Sequence, residues 1–313
     1  MKAKVLIPEY AAKYVTDDFK KHKIEIKTTS STQSEDELLA KGKDVSGAMI
    51  LMPPDGFNQN MIDQMPNLKV ISRLGVGYDN VDYHYAAKKG IVVTNTPGAN
   101  AISVAESTVC DMLILAKHSY SISKAMRDGD NDYISKHPTS ELAHKTVGIV
   151  GYGHIGQAVA KMLSGFGVKI LIWNRHQKQS QYGKFVDWNT LFQQSDYISL
   201  HIPSTSETIH SVSRKEFKMM KKSAMIVNFA RGSVIDEKAM INALKTGEIA
   251  GAGLDVFEKE PLPMDSELRK LPNVYMTPHI SAQTTEAIEQ TAINAASEMI
   301  RVIEGQRAKW QVN

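Results

Sequence analysis

The sequence predicts an α/β protein that contains two doubly wound parallel sheets. Short β-rich segments alternate with helical patterns in two successive series, which is typical of parallel β-α units with helices on both faces. The chain has 313 residues, too many for one ordinary core and enough for two domains. A glycine-rich turn at 151–156 stands between an apolar strand and a helix, as in doubly wound sheets that bind nucleotides.

The first series of elements occupies about the first hundred residues. Runs rich in β-branched and apolar residues predict strands at 4–8, 24–28, 47–52, 68–74 and 91–95. Helical patterns lie between them, at 10–20, 35–40, 58–64 and 81–88. Turn residues at 66–67 and 96–98 separate neighbouring elements.

The second series begins at Thr146, after a helical segment at 100–117 and a polar segment at 128–140 that we expect to be a loop or an arm. It predicts strands at 146–150, 168–173, 197–200, 224–228, 249–254 and 274–276. A final helix is expected at 284–303. The pattern leaves open whether this helix packs on the second domain or returns to the first, which would make the first domain discontinuous.

Composition and charge exclude several classes of protein. Hydrophobic residues make up 42% and charged residues 23%, the balance of a globular enzyme, and the net charge is only +3. The lysines are scattered, so neither nucleic acid nor a membrane is expected as a partner. The single cysteine, Cys110, lies in an apolar stretch and is expected to be a small buried residue. The first apolar run, Val5–Pro8, is too short for a signal peptide, which favours a cytoplasmic location.

The turn at 151–156 has the pattern of a dinucleotide phosphate loop. The strand at 147–150 leads into it, and a helix is expected at 157–163. Gly151 permits the tight turn, Gly153 lets the backbone approach a pyrophosphate, and Gly156 lets helix and strand pack closely. The motif alone is weak evidence, but this strand and helix context favours a dinucleotide over a ligand-free turn.

The end of the next strand bears on which dinucleotide binds. An NAD site usually has Asp or Glu here, to bind the ribose 2′-hydroxyl. This chain has the neutral Asn174, followed by the cationic or basic Arg175, His176 and Lys178. The cluster favours NADP over NAD because it leaves room for a 2′-phosphate; the alternative is an exposed polar turn.

Six ordered motifs carry a resemblance to a known family. They are RLGVGYDNVD (73–82), NTPGANAISVAE (95–106), LHIP (200–203), NFARGSVID (228–236), AGLDVFEKEP (252–261) and TPHISA (277–282). Over nearly its whole length the chain resembles the D-isomer-specific 2-hydroxyacid dehydrogenases, which include glyoxylate/hydroxypyruvate reductases, D-lactate dehydrogenases, formate dehydrogenase and phosphoglycerate dehydrogenase. The resemblance implies a Rossmann dinucleotide-binding domain at 99–285. It also implies a flavodoxin-like substrate-binding domain made of 1–98 and 286–313.

The resemblance implies a hydride transfer between NAD(P)H and a small 2-keto acid, with catalytic Arg231, Glu260 and His279. Reduction also needs a proton at the keto oxygen, and His279 is the candidate donor because imidazole titrates near neutrality. Glu260 would fix the imidazole tautomer and favour its charged form. Arg231 would bind the substrate carboxylate as a planar fork, and the backbone amides of Val76 and Gly77 would bind it as well. No metal is expected.

The remaining cofactor contacts are also carried over from the resemblance. It places Thr108 near the pyrophosphate and His154 and Ile155 in the phosphate turn. Asp255 either binds the nicotinamide carboxamide or caps the end of its strand. The adenosine side and the nicotinamide would be lined by His201, Ile202, Pro203 and Thr208, and by Phe229 and Ala230, respectively.

Two departures from the family's pattern and two rival functions stay open. The arm has Tyr133 where the family usually has Trp nearby, and His144 where Gly is common, although a homodimer is still expected. A D-3-phosphoglycerate dehydrogenase would want several cations for its substrate phosphate; Arg73 is available, but Met52-Pro53-Pro54 replaces the basic residue expected there. A non-enzymatic co-repressor of the same fold would keep the three catalytic residues but usually has long disordered tails.

Overall fold

A computed structural model describes residues 2–51, 56–176 and 178–313. The interpretation that used Met52, Pro53 and Pro54 therefore falls outside the described residues. The chain divides into two compact units, Met1–Asn100 with Gln283–Asn313 and Ala101–Ala282. Each unit has its own parallel sheet, so the predicted α/β class with two parallel sheets is confirmed.

Strands and helices alternate in the first unit, as its sequence pattern predicts. They are β1 (Lys4–Pro8), α1 (Glu9–Lys21), β2 (Glu25–Thr29), α2 (Glu35–Gly42), β3 (Gly47–Ile50), α3 (Gln59–Asp63), β4 (Val70–Arg73), α4 (Tyr83–Lys88) and β5 (Val92–Thr94). Within the described residues the sheet has the order β2-β1-β3-β4-β5, and every pair is parallel. This is the flavodoxin-like order.

The second unit begins with three helices, α5 (Ala101–Lys117), α6 (Ser119–Arg127) and α7 (Tyr133–Lys136). There follow β6 (Thr146–Val150), α8 (His154–Leu163), β7 (Lys169–Trp173), β8 (Lys184–Phe185), α9 (Trp188–Gln194), β9 (Tyr197–Leu200), α10 (Arg214–Met219), β10 (Met225–Asn228), α11 (Glu237–Lys245), β11 (Gly251–Leu254) and β12 (Val274–Met276). The parallel sheet has the order β12-β11-β10-β9-β6-β7-β8 in the described part of the chain. The strand order reverses between β6 and β9, which is the Rossmann arrangement and creates a crevice at the carboxyl edge.

The last helix, α12 (Thr285–Ile303), packs in the first unit against α1, β3 and β4. Its buried face carries the small residues Ala292, Ala295 and Ala296, which let the helix lie close to the sheet. The Ser72 hydroxyl of β4 donates to the Ala295 carbonyl at 3.2 Å. The chain then returns to the sheet edge, where the Val312 amide donates to the Val93 carbonyl of β5 at 2.9 Å.

Three local features differ from the sequence-based expectations. The polar segment at 128–140 is not wholly a loop, because it contains the short helix α7, on which Tyr133 stacks against His137. The strand β8 was not predicted, since two residues carry too little pattern to be recognised. Cys110 is exposed, so the expectation that it is buried is wrong: its position on α5 faces away from the helix's buried side.

The backbone conformation at His144 explains why glycine is common at this position. His144 has φ of 64°, in the left-handed region that favours glycine, which accounts for the glycine common at this position in the family.

Asp111 lies on α5, is 4% exposed and faces β11, where a Cβ on Gly253 would lie 3.0 Å from Asp111 Oδ2. Burial, and secondly the charge of Asp255, raise the pKa of Asp111 from 3.8 to about 7.

The raised pKa of Asp111 makes the stability of the second unit depend on pH. The unfolded chain releases this proton near pH 3.8 and the folded chain near 7, so folding stability falls as the pH rises between these values. We expect Asp111→Asn to gain stability relative to the wild type across this window and to keep a constant gain above it. Thermal unfolding between pH 4 and pH 8 measures this, with Asp17→Asn at an exposed position as the control. A melting-temperature difference that does not change with pH would contradict the assignment.

Candidate active site

The three glycines of the phosphate loop have three different steric surroundings. Gly151 has φ of 96°, and a Cβ there would lie 2.6 Å from the His201 carbonyl oxygen. A Cβ on Gly156 would overlap the carbonyl of Gly151, so only glycine lets α8 start this close to the turn. A Cβ on Gly153 would meet no heavy atom within 4 Å, so the loop leaves open space at this position.

The first turn of α8 fits a dinucleotide pyrophosphate. Gly153 is the N-cap residue and His154 begins the helix. The amides of His154, Ile155 and Gly156 belong to a helical first turn, which has no intrahelical acceptors, and the helix dipole favours an anion there. Thr108 is fully buried on α5 and donates its hydroxyl hydrogen to the Val104 carbonyl at 2.8 Å. Its predicted approach to the pyrophosphate stays a prediction.

Asn174 and Arg175 follow β7 and are both engaged by neighbours. Asn174 Oδ1 accepts from the Tyr152 amide at 2.9 Å, and its Nδ2 donates to the His176 carbonyl at 2.6 Å. Arg175 Nη2 lies 2.9 Å from Glu207 Oε2, with both side chains largely exposed. Sequence reasoning missed Glu207, because nothing in its local pattern shows that the loop after β9 approaches the end of β7.

The loop after β9 is held by its own polar residues. Thr208 donates its hydroxyl hydrogen to the Pro203 carbonyl at 2.6 Å and accepts from the Thr205 amide at 2.8 Å. His201 Nε2 lies 2.7 Å from Ser199 Oγ, and burial lowers the pKa of His201 to about 3, so its ring is neutral. Ile202 is buried and Pro203 is exposed. These bonds position the loop; its predicted contact with the adenosine stays a prediction.

His279 and Glu260 form a direct pair at the carboxyl edge of the second sheet. His279 Nδ1 lies 2.7 Å from Glu260 Oε2, and Glu260 Oε1 accepts from the Phe257 amide at 3.1 Å. Burial alone would raise the pKa of Glu260, but the hydrogen bond and charge of His279, the Phe257 amide and the charge of Arg231 together lower it. The carboxylate therefore stays ionised and binds one ring nitrogen, which leaves His279 Nε2 for another partner.

Asp255 holds the segment that carries His279. It is fully buried; its Oδ1 accepts from the Thr277 hydroxyl at 2.6 Å and the Ile280 amide at 2.9 Å, and its Oδ2 accepts from the Ser281 amide at 3.0 Å. His279 itself has φ of 55°, a left-handed conformation that a residue with a side chain rarely adopts. Asp255 thus holds the chain on both sides of His279. Its contact with a nicotinamide stays a prediction.

Arg231 lies on a loop that Asn228 and Gly232 shape. The buried Asn228 side chain accepts from the Ala230 amide at 3.0 Å and donates to the Arg231 carbonyl at 2.9 Å. Arg231 Nη1 donates to the Ala230 carbonyl at 2.8 Å. A Cβ on Gly232 would overlap the backbone of Phe257, so this glycine lets the Arg231 loop lie against the segment that leads to Glu260.

Neither Asn228 nor Gly232 was assigned a role from the sequence, although both stand in the motif at 228–236. A polar residue at the end of an apolar strand and a glycine next to an arginine were the available signals. Phe229 is buried and Ala230 is half-buried in the same loop. Val76 and Gly77 lie in the first unit, in the loop after β4, and both are half-buried.

The described residues contain neither a cluster fit for a metal ion nor a membrane-spanning helix. Within residues 2–51, 56–176 and 178–313, no group of three or more His, Cys, Asp or Glu side chains is placed to hold a metal ion. No helix in the described part of the chain combines the length and the apolar character needed to cross a membrane.

Comparisons with known proteins agree with the motifs. The model of the family described as D-isomer specific 2-hydroxyacid dehydrogenase, NAD binding domain, matches residues 109–281. The chain is 40% identical to a glyoxylate reductase of Thermococcus litoralis over 98% of this chain and 95% of that enzyme. It is 35% identical to a D-3-phosphoglycerate dehydrogenase of Archaeoglobus fulgidus over 99% of this chain, but it covers only 59% of that enzyme.

A solved structure shares the whole architecture. The NADPH-dependent glyoxylate/hydroxypyruvate reductase of Sinorhizobium meliloti, in complex with NADP and malonate, has a TM-score of 0.85 to this chain and 27% sequence identity. The match covers 100% of this chain and 97% of that one. A nicotinamide dinucleotide is therefore the cofactor class of the chain.

The open space at Gly153 predicts that alanine there is tolerated by the fold but not by the cofactor. We expect Gly153→Ala to keep the wild-type melting temperature and to weaken dinucleotide binding at least about tenfold, or about 1.4 kcal/mol, because the new methyl group occupies the space of the phosphates. Fluorescence titration with NADH and NADPH measures the affinity.

Two further glycine substitutions serve as comparisons for Gly153→Ala. Gly156→Ala should lower the melting temperature, because its Cβ would overlap the Gly151 carbonyl. Gly165→Ala also enters open space, away from the loop, and should change neither property. Wild-type affinity in Gly153→Ala would show that the phosphates do not approach this residue.

Proposed function

Because the chain belongs to the D-isomer-specific 2-hydroxyacid dehydrogenase family, we propose that it reduces glyoxylate or hydroxypyruvate and that it prefers NADPH. The chain is an oxidoreductase that transfers a hydride between a nicotinamide dinucleotide and a small 2-keto or D-2-hydroxy acid. The observation that carries the proposed chemistry is the 2.7 Å hydrogen bond between His279 Nδ1 and Glu260 Oε2. It prepares the imidazole to act as an acid through its other nitrogen.

The proposed proton transfer uses His279 Nε2 and the keto oxygen. The bound nicotinamide supplies the hydride for the keto carbon. As negative charge develops on the keto oxygen, the imidazolium donates a proton to it and becomes neutral. Glu260, with its lowered pKa, keeps its charge and stabilises the imidazolium before transfer. The left-handed backbone at His279 and the bonds of Asp255 limit how far the backbone that carries the ring can move.

The proposed substrate contacts come from Arg231 and from two backbone amides. The guanidinium of Arg231 offers two parallel N–H donors to the substrate carboxylate, and its charge polarises the neighbouring keto group. The amides of Val76 and Gly77 are assigned to the same carboxylate by the resemblance. Because all of these donors recognise the 2-keto acid group itself, they leave the choice of side chain to other walls of the pocket.

The proposed dinucleotide contacts follow the phosphate loop and the carboxyl edge of the second sheet. The open space at Gly153 and the amide-rich start of α8 support a pyrophosphate there. Gly151 and Gly156 shape the turn. The residues carried over for the remaining contacts are Thr108, His154, Ile155, His201, Ile202, Pro203, Thr208, Phe229, Ala230, Arg231, Asp255 and His279.

The proposed preference for NADPH depends on the residues after β7. Asn174 brings no carboxylate to repel a 2′-phosphate, and its amide group is held by Tyr152 and His176. Arg175 and His176 are exposed and close to this strand end. Glu207 competes for the Arg175 guanidinium through a surface ion pair, and such exposed pairs are weak enough for a phosphate dianion to replace.

We also propose that the chain forms a homodimer in the cytoplasm, as expected from the sequence. Tyr120 and Met126 of α6 are 62% and 75% exposed, which is unusual for large apolar side chains. Tyr120 and, in the arm, Tyr133 line a cavity of about 590 Å³ together with residues of α5 and β12. Apolar side chains exposed in this way support association between copies of the chain through α6 and the arm.

The test of substrate and cofactor is a matrix of kcat/KM values. We expect glyoxylate or hydroxypyruvate with NADPH to exceed pyruvate, branched keto acids and 3-phosphohydroxypyruvate. Arg175→Ala should lower the NADPH-to-NADH ratio about tenfold, because a charge-assisted contact to the phosphate is lost. Glu207→Gln should raise the ratio, since it releases Arg175 and removes a negative charge.

The control for charge is Glu267→Gln, which breaks the ion pair with Lys245 elsewhere in the second unit and should leave the ratio unchanged. A wild type that favours NADH would refute the cofactor proposal. If 3-phosphohydroxypyruvate is the best substrate, the chain has the activity of its D-3-phosphoglycerate dehydrogenase relatives instead.

The catalytic pair predicts separate effects on rate and on pH dependence. His279→Gln should lower the turnover of keto-acid reduction by about 10²–10⁴, the usual contribution of a positioned general acid. Glu260→Gln should shift the alkaline limb of the reduction profile to lower pH, because the imidazolium loses its charged partner. Steady-state rates from pH 5 to pH 9 measure both.

His210 provides a matched control for His279. It also has a left-handed backbone, with φ of 51°, and its Nε2 lies 2.8 Å from Glu258. His210→Gln should therefore keep the wild-type turnover and pH profile. Near-normal reduction by His279→Gln would remove His279 from the role of acid.

A further inference from the structure

In the loop that follows β4, the carbonyl groups of Gly75 and Val76 are both hydrogen-bonded to the segment Asn95–Thr96. We propose that Asn95 is a positioning residue, which turns the amides of Val76 and Gly77 toward the substrate carboxylate. The proposal rests on the proposed function, because it concerns the two amides assigned to that carboxylate. It adds a residue that stands behind the loop and need not touch the substrate.

Asn95 and Thr96 hold this loop from behind with three hydrogen bonds. Asn95 is 8% exposed, and its Nδ2 donates to the Val76 carbonyl at 2.8 Å. The Thr96 amide donates to the Gly75 carbonyl at 3.0 Å. Thr96 Oγ1 accepts from the Gly75 amide, also at 3.0 Å.

Peptide planarity converts these anchored carbonyls into directed amides. In a trans peptide the C=O and the following N–H point in opposite directions. Because the Gly75 carbonyl points to Thr96, the Val76 N–H points away from it. The Val76 carbonyl likewise points to Asn95, so the Gly77 N–H points away from the same segment.

The two amides are available to an anion. Among the described residues, neither the Val76 nor the Gly77 amide donates a backbone hydrogen bond. Both residues are half-buried. Gly75 permits the turn with φ of 138°, a value that glycine alone adopts readily. Successive amides with a common direction form a concave site for an anion, and a carboxylate fits it.

A side chain that donates a hydrogen bond and carries no negative charge is needed at position 95 for this task. The Val76 carbonyl needs a donor, which leucine lacks, and an aspartate would present a charge that repels it. Without the donor, the Val76–Gly77 peptide is free to rotate. Part of the binding free energy of the carboxylate is then lost in ordering the two amides again.

The experiment compares Asn95→Leu, which is similar in size, with Thr96→Val. The latter removes one hydrogen bond from the same loop but leaves both anchored carbonyls in place. For each variant we measure the melting temperature, the dinucleotide affinity, kcat/KM for the keto acid and inhibition by oxamate, a stable 2-keto acid analogue. Asn95→Leu should weaken oxamate inhibition and lower kcat/KM at least about tenfold, with little change in dinucleotide affinity. Thr96→Val should change these values about threefold or less.

Two outcomes overturn the proposal. One is unchanged oxamate inhibition in Asn95→Leu; the other is an equal loss in Thr96→Val, which would indicate general loosening of the loop. If Asn95→Leu does not fold, Asn95→Asp, which keeps the size and removes the donor, is judged by the same measurements. A wild type that neither reduces keto acids nor binds oxamate would refute the proposed function, whereas an active wild type matched by Asn95→Leu would refute only the role of Asn95.

Discussion

Asp255 accepts three hydrogen bonds from the segment 277–281, and the position of the proposed proton donor, His279, depends on them. His279 adopts a left-handed backbone, which costs about 1–3 kcal/mol for a residue with a side chain. Hydrogen bonds to a charged acceptor contribute about 1.5–3 kcal/mol each, so the bonds of one buried carboxylate outweigh that cost. The imidazole can then meet Glu260 at 2.7 Å, because the backbone on both sides of it is held.

Backbone amides carry the proposed anion recognition in both units of the chain. In the second unit, the start of α8 presents amides beside the open space at Gly153. In the first unit, the carbonyl groups of Gly75 and Val76 accept hydrogen bonds, whereas the amides of Val76 and Gly77 donate no backbone hydrogen bond among the described residues. Amides placed in this way select negative charge without adding lysines, which agrees with a net charge of only +3.

Much of this architecture could be predicted from the sequence, and the parts that could not share a physical reason. The phosphate loop was recognisable because Gly151 and Gly156 are required by the geometry of the turn and Gly153 leaves open space beside it, and a short motif expresses all three. The pair of Arg175 with Glu207 was not, since it joins two loops that follow different strands. The partners of Asp255 and the role of Gly232 likewise arise where separate strand ends meet. Exposure was also unpredictable for Cys110, because an apolar helix still has one side that faces away from its core.

The return of α12 to the first unit has a consequence for the order in which the chain acquires its structure during synthesis. Residues 101–282 form a continuous stretch and can fold as soon as they leave the ribosome. The first hundred residues are made earlier but finished later, because Val5, Met49 and Val70 pack in one cluster with Ala292, Ala295 and Met299 of α12. Until residues 285–312 emerge, that apolar face and the edge of β5 are uncovered. The nascent chain therefore exposes an apolar face and an unpaired strand edge during the synthesis of the second unit, and a chaperone that protects them would have to stay bound until α12 is available.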